Sequence, residues 1–187
     1  PKFCDHFHLS LHSGSNTVLQ RMNRKYTRED YLETVERIRC YYPQAGITTD
    51  IIVGFPGETE EEFQETLDLV KKVAFSRVHV FKYSIRKGTP AATMKGQVDG
   101  KIKNSRSQDL IVLTEALRAD FERSFIGKDM EVLVERKTDG LYHGHSTNYV
   151  EVFFTGQGDY FNKLVEVEIT DFIDGKLRGR AKGGKND

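Results

Sequence analysis

The 187-residue chain has no tryptophan, only two cysteines and four prolines, and no net charge. Two cysteines far apart in sequence, Cys4 and Cys40, cannot form a disulfide framework, and we expect a cytoplasmic protein. The zero net charge gives no broad basic surface for nucleic acid and leaves only local patches for that role. No apolar run is long enough to span a membrane. Hydrophobic residues at 37% and charged residues at 30% indicate a globular chain.

The most distinctive local pattern is a strand that runs into a glycine-rich turn and then into a helix start, at residues 48–63. Three consecutive β-branched residues suit a buried strand, and Gly54 and Gly57 allow a sharp bend and the close approach of a ligand. Thr59 with Glu62 three residues later is typical of a capping box. Ligands of βα folds bind at such junctions, although an ordinary βα turn has the same pattern.

Up to about residue 125, the spacing of apolar residues predicts alternating strands and helices. The predicted elements are strands at 6–12, 47–53 and 77–83, helices at 28–42, about 60–73 and about 104–125, and a long loop at 85–103. The order β-α-β-α-β implies parallel strands with right-handed crossovers. Three strands cannot close a barrel, and the unpaired edge that they leave predicts self-association of the chain.

Beyond Phe125 the pattern changes to short strands separated by Gly, Asp and Asn. The predicted strands lie at 129–135, 141–145, 148–154, 164–170 and 176–181. Five short strands in about sixty residues indicate a small antiparallel barrel. We therefore predict an α/β domain at 1–125 and a small all-β domain at 126–187, with the boundary near Ile126.

Three histidines on the polar face of strand 6–12 are candidate metal ligands. Residues of a strand advance roughly 3.3 Å each, so His6, His8 and His12 cannot all reach one ion without a bulge. No Asp, Glu or Cys stands beside them at a familiar metal-ligand spacing. We therefore predict no metal site and favour a polar pocket lining, with exposed histidines on an edge strand as the alternative.

The C-terminal strands combine cations with aromatic side chains. Lys176, Arg178 and Arg180 occupy alternate positions of one predicted strand and share a face. Further cations, Lys182 and Lys185, extend this basic tail, and the nearby aromatic residues are Tyr142, Tyr149, Phe153 and Phe154. Cations beside aromatic rings suit phosphate contacts and stacking on unpaired bases, although alternation places about half of these rings in the barrel core.

Five segments in the expected order resemble the radical S-adenosylmethionine methylthiotransferases that modify tRNA. These segments are 6–15, 21–27, the Gly54–Thr59 loop, 77–84 and 87–92. Within the family, the chain is most similar to the branch that acts on threonylcarbamoyladenosine. The resemblance implies the C-terminal half of a radical SAM partial (β/α) barrel, with three parallel βα units, followed by a five-stranded antiparallel TRAM barrel, best matched at 140–150.

The resemblance also implies two sets of site residues. S-adenosylmethionine would contact Ser10, His12, Ser13, Gly14, Arg24, Ile52, Gly54, Phe55, Gly57, Glu58, Phe81 and Tyr83, with Arg24 as a fork on the cofactor's carboxylate. The RNA-binding set is Lys128, Tyr142, Asn148, Tyr149, Lys176, Arg178 and Arg180.

The activity implied by the resemblance is insertion of sulfur at carbon 2 of a modified adenosine beside the anticodon, followed by methylation. The adenosine would be N6-threonylcarbamoyladenosine or isopentenyladenosine. The partner would be tRNA, and the cofactors would be S-adenosylmethionine and iron–sulfur clusters. The family's cluster-binding cysteine motif is absent, and the chain begins at Pro1, so we expect an excised piece that is inactive alone and binds no cofactor. The alternatives are an enzyme of the same fold that modifies a ribosomal protein and a non-catalytic RNA-binding fragment.

Overall fold

The computed structural model describes residues 3–182. In chain order, the elements are β1 (His6–His8), α1 (Asn16–Arg21), α2 (Arg28–Tyr41), β2 (Gly46–Val53), α3 (Glu60–Val73), β3 (Arg77–Lys82), α4 (Pro90–Thr93), α5 (Gly100–Arg123), β4 (Asp129–Thr138), β5 (Leu141–Ser146), β6 (Glu151–Thr155), β7 (Leu164–Ile173) and β8 (Lys176–Ala181). They form two compact units. The sheet unit comprises residues 7–43 and 47–118, and the barrel unit comprises residues 119–182 with residues 3–6 and 44–46.

The first three strands form a parallel sheet in the order β1-β2-β3, as predicted. β2 and β3 pair in register from Thr48 opposite Arg77 to Val53 opposite Lys82. The central strand β2 has nearly all of its residues buried, which fits its run of β-branched side chains. Because the strands are parallel, their carboxyl ends meet at one edge of the sheet.

The first strand is shorter than predicted, since β1 ends at His8 instead of continuing to residue 12. The amide of Leu11 donates to the side-chain hydroxyl of Thr49 at 2.9 Å, in place of a backbone carbonyl. His12 then adopts the left-handed conformation, with φ 69°, and makes only an isolated bridge to β2. A side-chain acceptor and a left-handed residue therefore end the regular ladder and turn the chain at the edge of the sheet.

Helix α3 begins at the predicted capping box. The Thr59 side chain accepts from the amide of Glu62, and the Glu62 carboxylate accepts from the amide of Thr59. Phe63 and Leu69 on its apolar face are buried, and burial of such a side chain contributes about 1.5–3 kcal/mol. The cap therefore fixes where the helix starts, directly after the Gly54–Thr59 loop.

The predicted loop at 85–103 contains two helical segments. The short helix α4 (Pro90–Thr93) lies within it, and α5 begins at Gly100 instead of residue 104. The carboxylate of Asp99 accepts from the amide of Lys101 at 2.7 Å and provides the cap that starts α5. The irregular segment is therefore shorter than its glycine content indicated.

The last five strands form a closed barrel in the order β4-β5-β6-β8-β7. Four of the neighbouring pairs are antiparallel, but β6 and β8 run parallel. The prediction of a fully antiparallel barrel was therefore wrong. Strand direction cannot alternate around a closed ring with an odd number of members, so a five-stranded barrel needs at least one parallel pair.

The barrel core follows strict alternation along the strands. Inward residues such as Val132, Val152, Phe154, Val167 and Leu177 are buried. Within the part of the chain that the structure describes, no helix is both long and apolar enough to cross a membrane.

Candidate functional site

A cavity of about 480 Å³ opens at the carboxyl ends of the three parallel strands. Its walls come from the segment after β1, from β2 and its following loop, and from β3 and the segment that follows it. The lining residues are His12, Asp50, Ile52, Phe55, Phe81, Lys82, Tyr83, Ser84, Arg86, Thr89 and Ala91. Open α/β sheets bind their ligands at this edge, and the volume falls within the usual range of ligand pockets.

The loop after β2 is held in a tight conformation beside the cavity. Gly54 and Gly57 have φ values of 72° and 78°, which side-chain-bearing residues rarely adopt. The amide of Gly57 donates to the carbonyl of Gly96 at 2.8 Å. Phe55 packs edge-on against the ring of Tyr83, with 5.3 Å between centroids. The loop therefore presents a fixed aromatic wall to the cavity.

Two buried polar atoms of the cavity lining have no hydrogen-bond partner within residues 3–182: Nδ1 of His12 and the hydroxyl of Tyr83. Buried polar groups are nearly always satisfied, so atoms left unpaired by protein in a cavity wall are positions where water or a polar ligand binds. Burial, and then the positive charge of Arg24, lower the pKa of His12. Its imidazole is therefore neutral near pH 7 and can donate from one nitrogen and accept at the other.

A second cavity of about 570 Å³ adjoins the first and shares the lining residues Ile52, Phe55, Thr89 and Ala91 with it. Its other lining residues are Arg21, Met22, Asn23, Arg24, Pro90 and Met94. The two adjoining cavities are together called the trough; Arg21 and Arg24 line its second part, and Lys82 and Arg86 line its first.

The two arginines of the second cavity differ in how they are bound. Arg21 donates to the carboxylate of Glu62 at 3.0 Å and to the carbonyl of Gly57 at 3.3 Å. Burial tends to raise the pKa of Glu62, but hydrogen bonds from Arg21 and Thr17 outweigh it and lower the value to about 2. Arg24 is exposed and pairs with no carboxylate in residues 3–182. Arg24 is thus the cation of the second cavity that is open to an anionic ligand.

The structure brings together only part of the predicted cofactor set. His12, Arg24, Ile52, Phe55, Phe81 and Tyr83 line the trough, while Gly54, Gly57 and Glu58 shape its loop. Ser10, Ser13 and Gly14 line neither part. Ser13 and Gly14 are buried against α3, where Gly14 N donates to Thr66 Oγ1 at 3.0 Å. The carbonyl of Ser10 accepts from the hydroxyl of Tyr26 at 2.9 Å. These three residues hold the segment after β1 in place.

The residues present do not fit an iron–sulfur cluster. Cys4 and Cys40 are both free and exposed. Among residues 3–182, no group of three or more His, Cys, Asp or Glu side chains is placed to hold a metal ion. Clusters are held by several thiolates, so no step of the chemistry is assigned to a cluster bound by this chain.

Two residues of the predicted RNA-binding set lie inside the barrel unit. Tyr142 is only 4% exposed, its ring packs on Phe154 in the core, and its hydroxyl donates to the carbonyl of Gly158. Asn148 is also 4% exposed, and its amide donates to the carbonyl of Gln44 at 3.0 Å. Tyr142 faces inward because it shares the parity of the core positions of β5, so its ring cannot stack on a base.

The outer face of the barrel carries a row of side chains across three strands, here called the outer row: His143, Phe153, Lys176 and Arg178. His143 lies opposite Phe153, which lies opposite Arg178. The rings of His143 and Phe153 stack with centroids 5.0 Å apart, and Lys176 Nζ lies 4.5 Å from the Phe153 centroid. Phe153 and His143 were absent from the predicted set, although alternation with buried Val152 places Phe153 outside.

The remaining basic positions are partly paired. Arg180 lies 3.8 Å from Glu168, and Lys182 pairs with Asp129. Lys185 lies outside the described residues. These pairs leave Lys176 and Arg178 as the cations of β8 that face aromatic rings instead of carboxylates.

Two further members of the predicted RNA-binding set lie on the surface. Tyr149 is 56% exposed and stacks between the rings of His6 and His145, at 4.8 and 4.7 Å. Lys128 follows α5, and its ammonium lies 5.4 Å from the ring of Phe125. Both are accessible to a ligand on the barrel surface, in contrast to Tyr142 and Asn148.

Residues 2–70 match the family model of the Radical SAM superfamily. Similar proteins include the tRNA-2-methylthio-N(6)-dimethylallyladenosine synthases of Alkaliphilus oremlandii, 45% identical over 95% of this chain, and of Carboxydothermus hydrogenoformans, 46% identical over 94%. The threonylcarbamoyladenosine tRNA methylthiotransferase of Bacillus subtilis is 42% identical over 90% of the chain. The matched region covers 38%, 40% and 38% of these three proteins, so the chain spans well under half of their length.

Proposed function

We propose that this chain is the C-terminal part of a tRNA methylthiotransferase, which inserts sulfur at carbon 2 of a modified adenosine beside the anticodon and methylates it. Residues 1–125 would be the C-terminal part of the radical SAM barrel, and residues 126–187 a TRAM domain that binds tRNA. The observation that carries the proposal is the trough at the carboxyl ends of the strands, in whose first cavity the buried Nδ1 of His12 and the hydroxyl of Tyr83 have no partner among residues 3–182.

The trough suits S-adenosylmethionine, which supplies a methyl group and, on reductive cleavage, a radical. Ile52, Phe55 and Phe81 provide apolar walls for the adenine ring. His12 and Tyr83 offer the unpaired polar atoms that an adenosyl group can satisfy. Arg24 in the adjoining part is placed to pair with the carboxylate of the methionyl end.

The proposal is tested with a chimera that joins the N-terminal remainder of the Alkaliphilus oremlandii relative to this chain. Identity of 45% across the matched region makes the substitution conservative. We expect the chimera, prepared without oxygen, to convert tRNA lacking the modification to its methylthio form, as seen by mass spectrometry of the nucleosides. Substrate tRNAs with dimethylallyl- and with threonylcarbamoyladenosine are assayed in parallel, because relatives carry both names.

The intact Alkaliphilus protein is the positive control for this assay. A chimera that folds, cleaves S-adenosylmethionine and still modifies neither tRNA would contradict the proposal. Modification of a ribosomal protein by the same preparation would establish the rival substrate instead.

The outer row is the surface of the barrel that we propose for tRNA. Phe153 and His143 offer π-faces, and Lys176 and Arg178 lie within 5.1 Å of the Phe153 ring. Proteins that bind unpaired nucleotides combine aromatic platforms with cations that contact the backbone. The outer row therefore provides a local basic and aromatic surface for tRNA, although the chain has no net charge.

Replacing Lys176 and Arg178 with alanine is expected to weaken tRNA binding and to flatten its salt dependence. Each phosphate contact contributes about 0.7–0.9 to the slope of log affinity against log salt, so losing two lowers the slope by about 1.4–1.8. Fluorescence anisotropy of labelled tRNA at several salt concentrations measures both quantities. Phe153→Leu should lower affinity with the slope unchanged, because stacking releases few ions.

A double change of Arg180 and Lys182 to alanine is the matched control, since it removes the same charge from cations that already have carboxylate partners. It should change the slope less than the Lys176 and Arg178 pair does. An equal effect of the two double changes would mean that overall charge, and not the outer row, governs binding.

A further inference from the structure

The first two turns of α5 face the loop that borders the trough. Arg106, Ser107 and Leu110 are buried and Lys103 is half-buried, and this spacing forms one stripe of the helix. Lys103 and Arg106 are charged, yet they lie on the inward side. Charged side chains are seldom buried unless they are paired. The partners of Lys103 and Arg106 therefore show which part of the protein this face of α5 stabilises.

Arg106 is bound to the Gly54–Thr59 loop through a buried ion pair. Its guanidinium donates to the carboxylate of Glu58 at 2.7 Å and to the carbonyl of Glu58 at 3.1 Å. The side chains of Glu58 and Arg106 are only 2% and 7% exposed. The same carboxylate oxygen of Glu58 accepts from the amide of Gly54 at 2.9 Å. Arg106 thus fixes the group that closes the left-handed turn at Gly54.

Lys103 contacts the two sides of the same turn. A Cβ atom at Gly54 would lie 2.1 Å from Cγ of Lys103, so the lysine stem packs directly on the glycine. The ammonium of Lys103 donates to the carbonyl of Tyr83 at 3.2 Å, and the amide of Tyr83 donates to the carbonyl of Val53 at 2.9 Å. Lys103 therefore spans from the Gly54 turn to the end of β3.

The electrostatics of Glu58 require these contacts. Burial raises the pKa of its carboxyl, while the Gly54 amide and Arg106 act in the opposite direction. Removal of the arginine would leave a buried carboxyl with one donor in place of two. Removing one member of a buried ion pair strongly destabilises the fold, because the other charge stays buried without a partner. Here the unpaired carboxylate would belong to the loop that forms the aromatic wall.

We propose that Arg106 and Lys103 are positioning residues of the S-adenosylmethionine site: through Glu58 and Gly54 they set the loop, and through Tyr83 they set the opposite wall. The inference rests on the proposed function for the identity of the ligand. Both residues lie far from the Gly54–Thr59 loop in sequence, Arg106 being 48 positions from Glu58, and neither lines either cavity of the trough.

The experiment uses the ¹⁵N-labelled chain with the variants Arg106→Met, Arg106→Lys and Leu110→Ala. Exchange of the Gly54 amide with solvent in the labelled chain reports the hydrogen bond to Glu58. Calorimetry of the chimera that carries the same variants reports binding of S-adenosylmethionine, because the chain alone is expected to bind no cofactor. Arg106→Met should speed Gly54 exchange and raise the Kd, each by about tenfold or more. Arg106→Lys keeps the charge and should recover part of both effects.

Leu110→Ala is the matched control, because Leu110 is fully buried one turn further along the same helix and lies outside both cavities. This change should lower the thermal midpoint. The Kd, and the exchange rate of the Gly54 amide relative to its neighbours, should stay unchanged. Arg106→Met with normal Gly54 exchange and normal Kd would overturn the inference, as would equal changes in Leu110→Ala.

Lys103→Met decides the question if Arg106→Met does not fold, since it retains the packed stem and removes only the ammonium. A Kd raised by about threefold or more at an unchanged thermal midpoint supports the inference, and an unchanged Kd overturns it. Failure of the unaltered chimera to bind S-adenosylmethionine would contradict the proposed ligand. Gly54 exchange in the Arg106 variants would then still decide whether α5 sets the loop.

Discussion

Replacing Gly54 with alanine is expected to lower the affinity for S-adenosylmethionine by about 100-fold. The added methyl group would sit at a φ of 72°, which costs about 1–2 kcal/mol for an L-residue. It would also lie 2.1 Å from Cγ of Lys103, so the lysine must leave its place beside Tyr83. Strain of about 1–2 kcal/mol and the loss of the Lys103 hydrogen bond, about 1 kcal/mol, together amount to about 2–3 kcal/mol, or on the order of 100-fold in Kd, and titration calorimetry of the chimera measures the change.

Gly57→Ala is the matched control in the same loop. Its φ of 78° imposes similar backbone strain, but the nearest atom to a Cβ there is Nε of Arg21, at 3.6 Å. We expect the affinity for S-adenosylmethionine to fall by about tenfold, because of the backbone strain alone. Equal losses at the two positions would show that the close approach of Lys103 contributes nothing to the site.

Replacing Gly144 with alanine is expected to destabilise the barrel unit by more than about 3 kcal/mol, at the upper end of the cost of overpacking. A Cβ there would lie 1.8 Å from the carbonyl oxygen and 2.8 Å from the carbonyl carbon of Leu133. Those atoms belong to the adjacent strand β4 and cannot move without breaking its pairing with β5. Urea unfolding, followed by near-ultraviolet circular dichroism of the barrel tyrosines, measures the loss.

Gly140→Ala in the turn of the same hairpin provides the comparison. Gly140 has a φ of 81° but open space around its Cβ position, so only about 1–2 kcal/mol of backbone strain is expected. A loss at Gly144 no larger than that at Gly140 would mean that β4 and β5 separate readily, and that the barrel is less tightly closed than described.

The elements that could be predicted from the sequence are those determined by local signals. The glycine pair at 54 and 57, the capping box from Thr59 to Glu62 and the apolar stripe of α3 each lie within a few residues of one another. Their geometry depends little on distant parts of the chain. The parallel order of the three strands followed because the connecting helices leave no short hairpin between them.

The features that sequence reasoning missed depend on contacts between distant residues. The early end of β1 depends on the Thr49 hydroxyl, which accepts from an amide 38 positions away. The Glu58–Arg106 pair joins residues 48 positions apart, and α5 itself began earlier than its periodicity indicated. Tyr142 is buried because alternate residues of β5, beginning with Tyr142, face the interior of the closed barrel. Which alternate set faces inward is known only once the pairing register of the strands is known.

The role of the trough in binding S-adenosylmethionine is tested most directly by removing a single oxygen atom from it. Tyr83→Phe deletes a buried hydroxyl that has no partner within the described residues. Tyr26→Phe deletes a hydroxyl that donates to the carbonyls of Ser10 and Leu11 at 2.9 Å and does not line the trough.

We expect Tyr83→Phe to raise the Kd for S-adenosylmethionine about fivefold, the value of one hydrogen bond of ~1 kcal/mol. Its free energy of unfolding should be unchanged or higher, since the lost group was unsatisfied. Tyr26→Phe should do the reverse, lowering the free energy of unfolding by about 1 kcal/mol with the Kd unchanged. A chimera that does not bind S-adenosylmethionine, or whose Kd is the same with and without the Tyr83 hydroxyl, would contradict the assignment of the trough as the cofactor site.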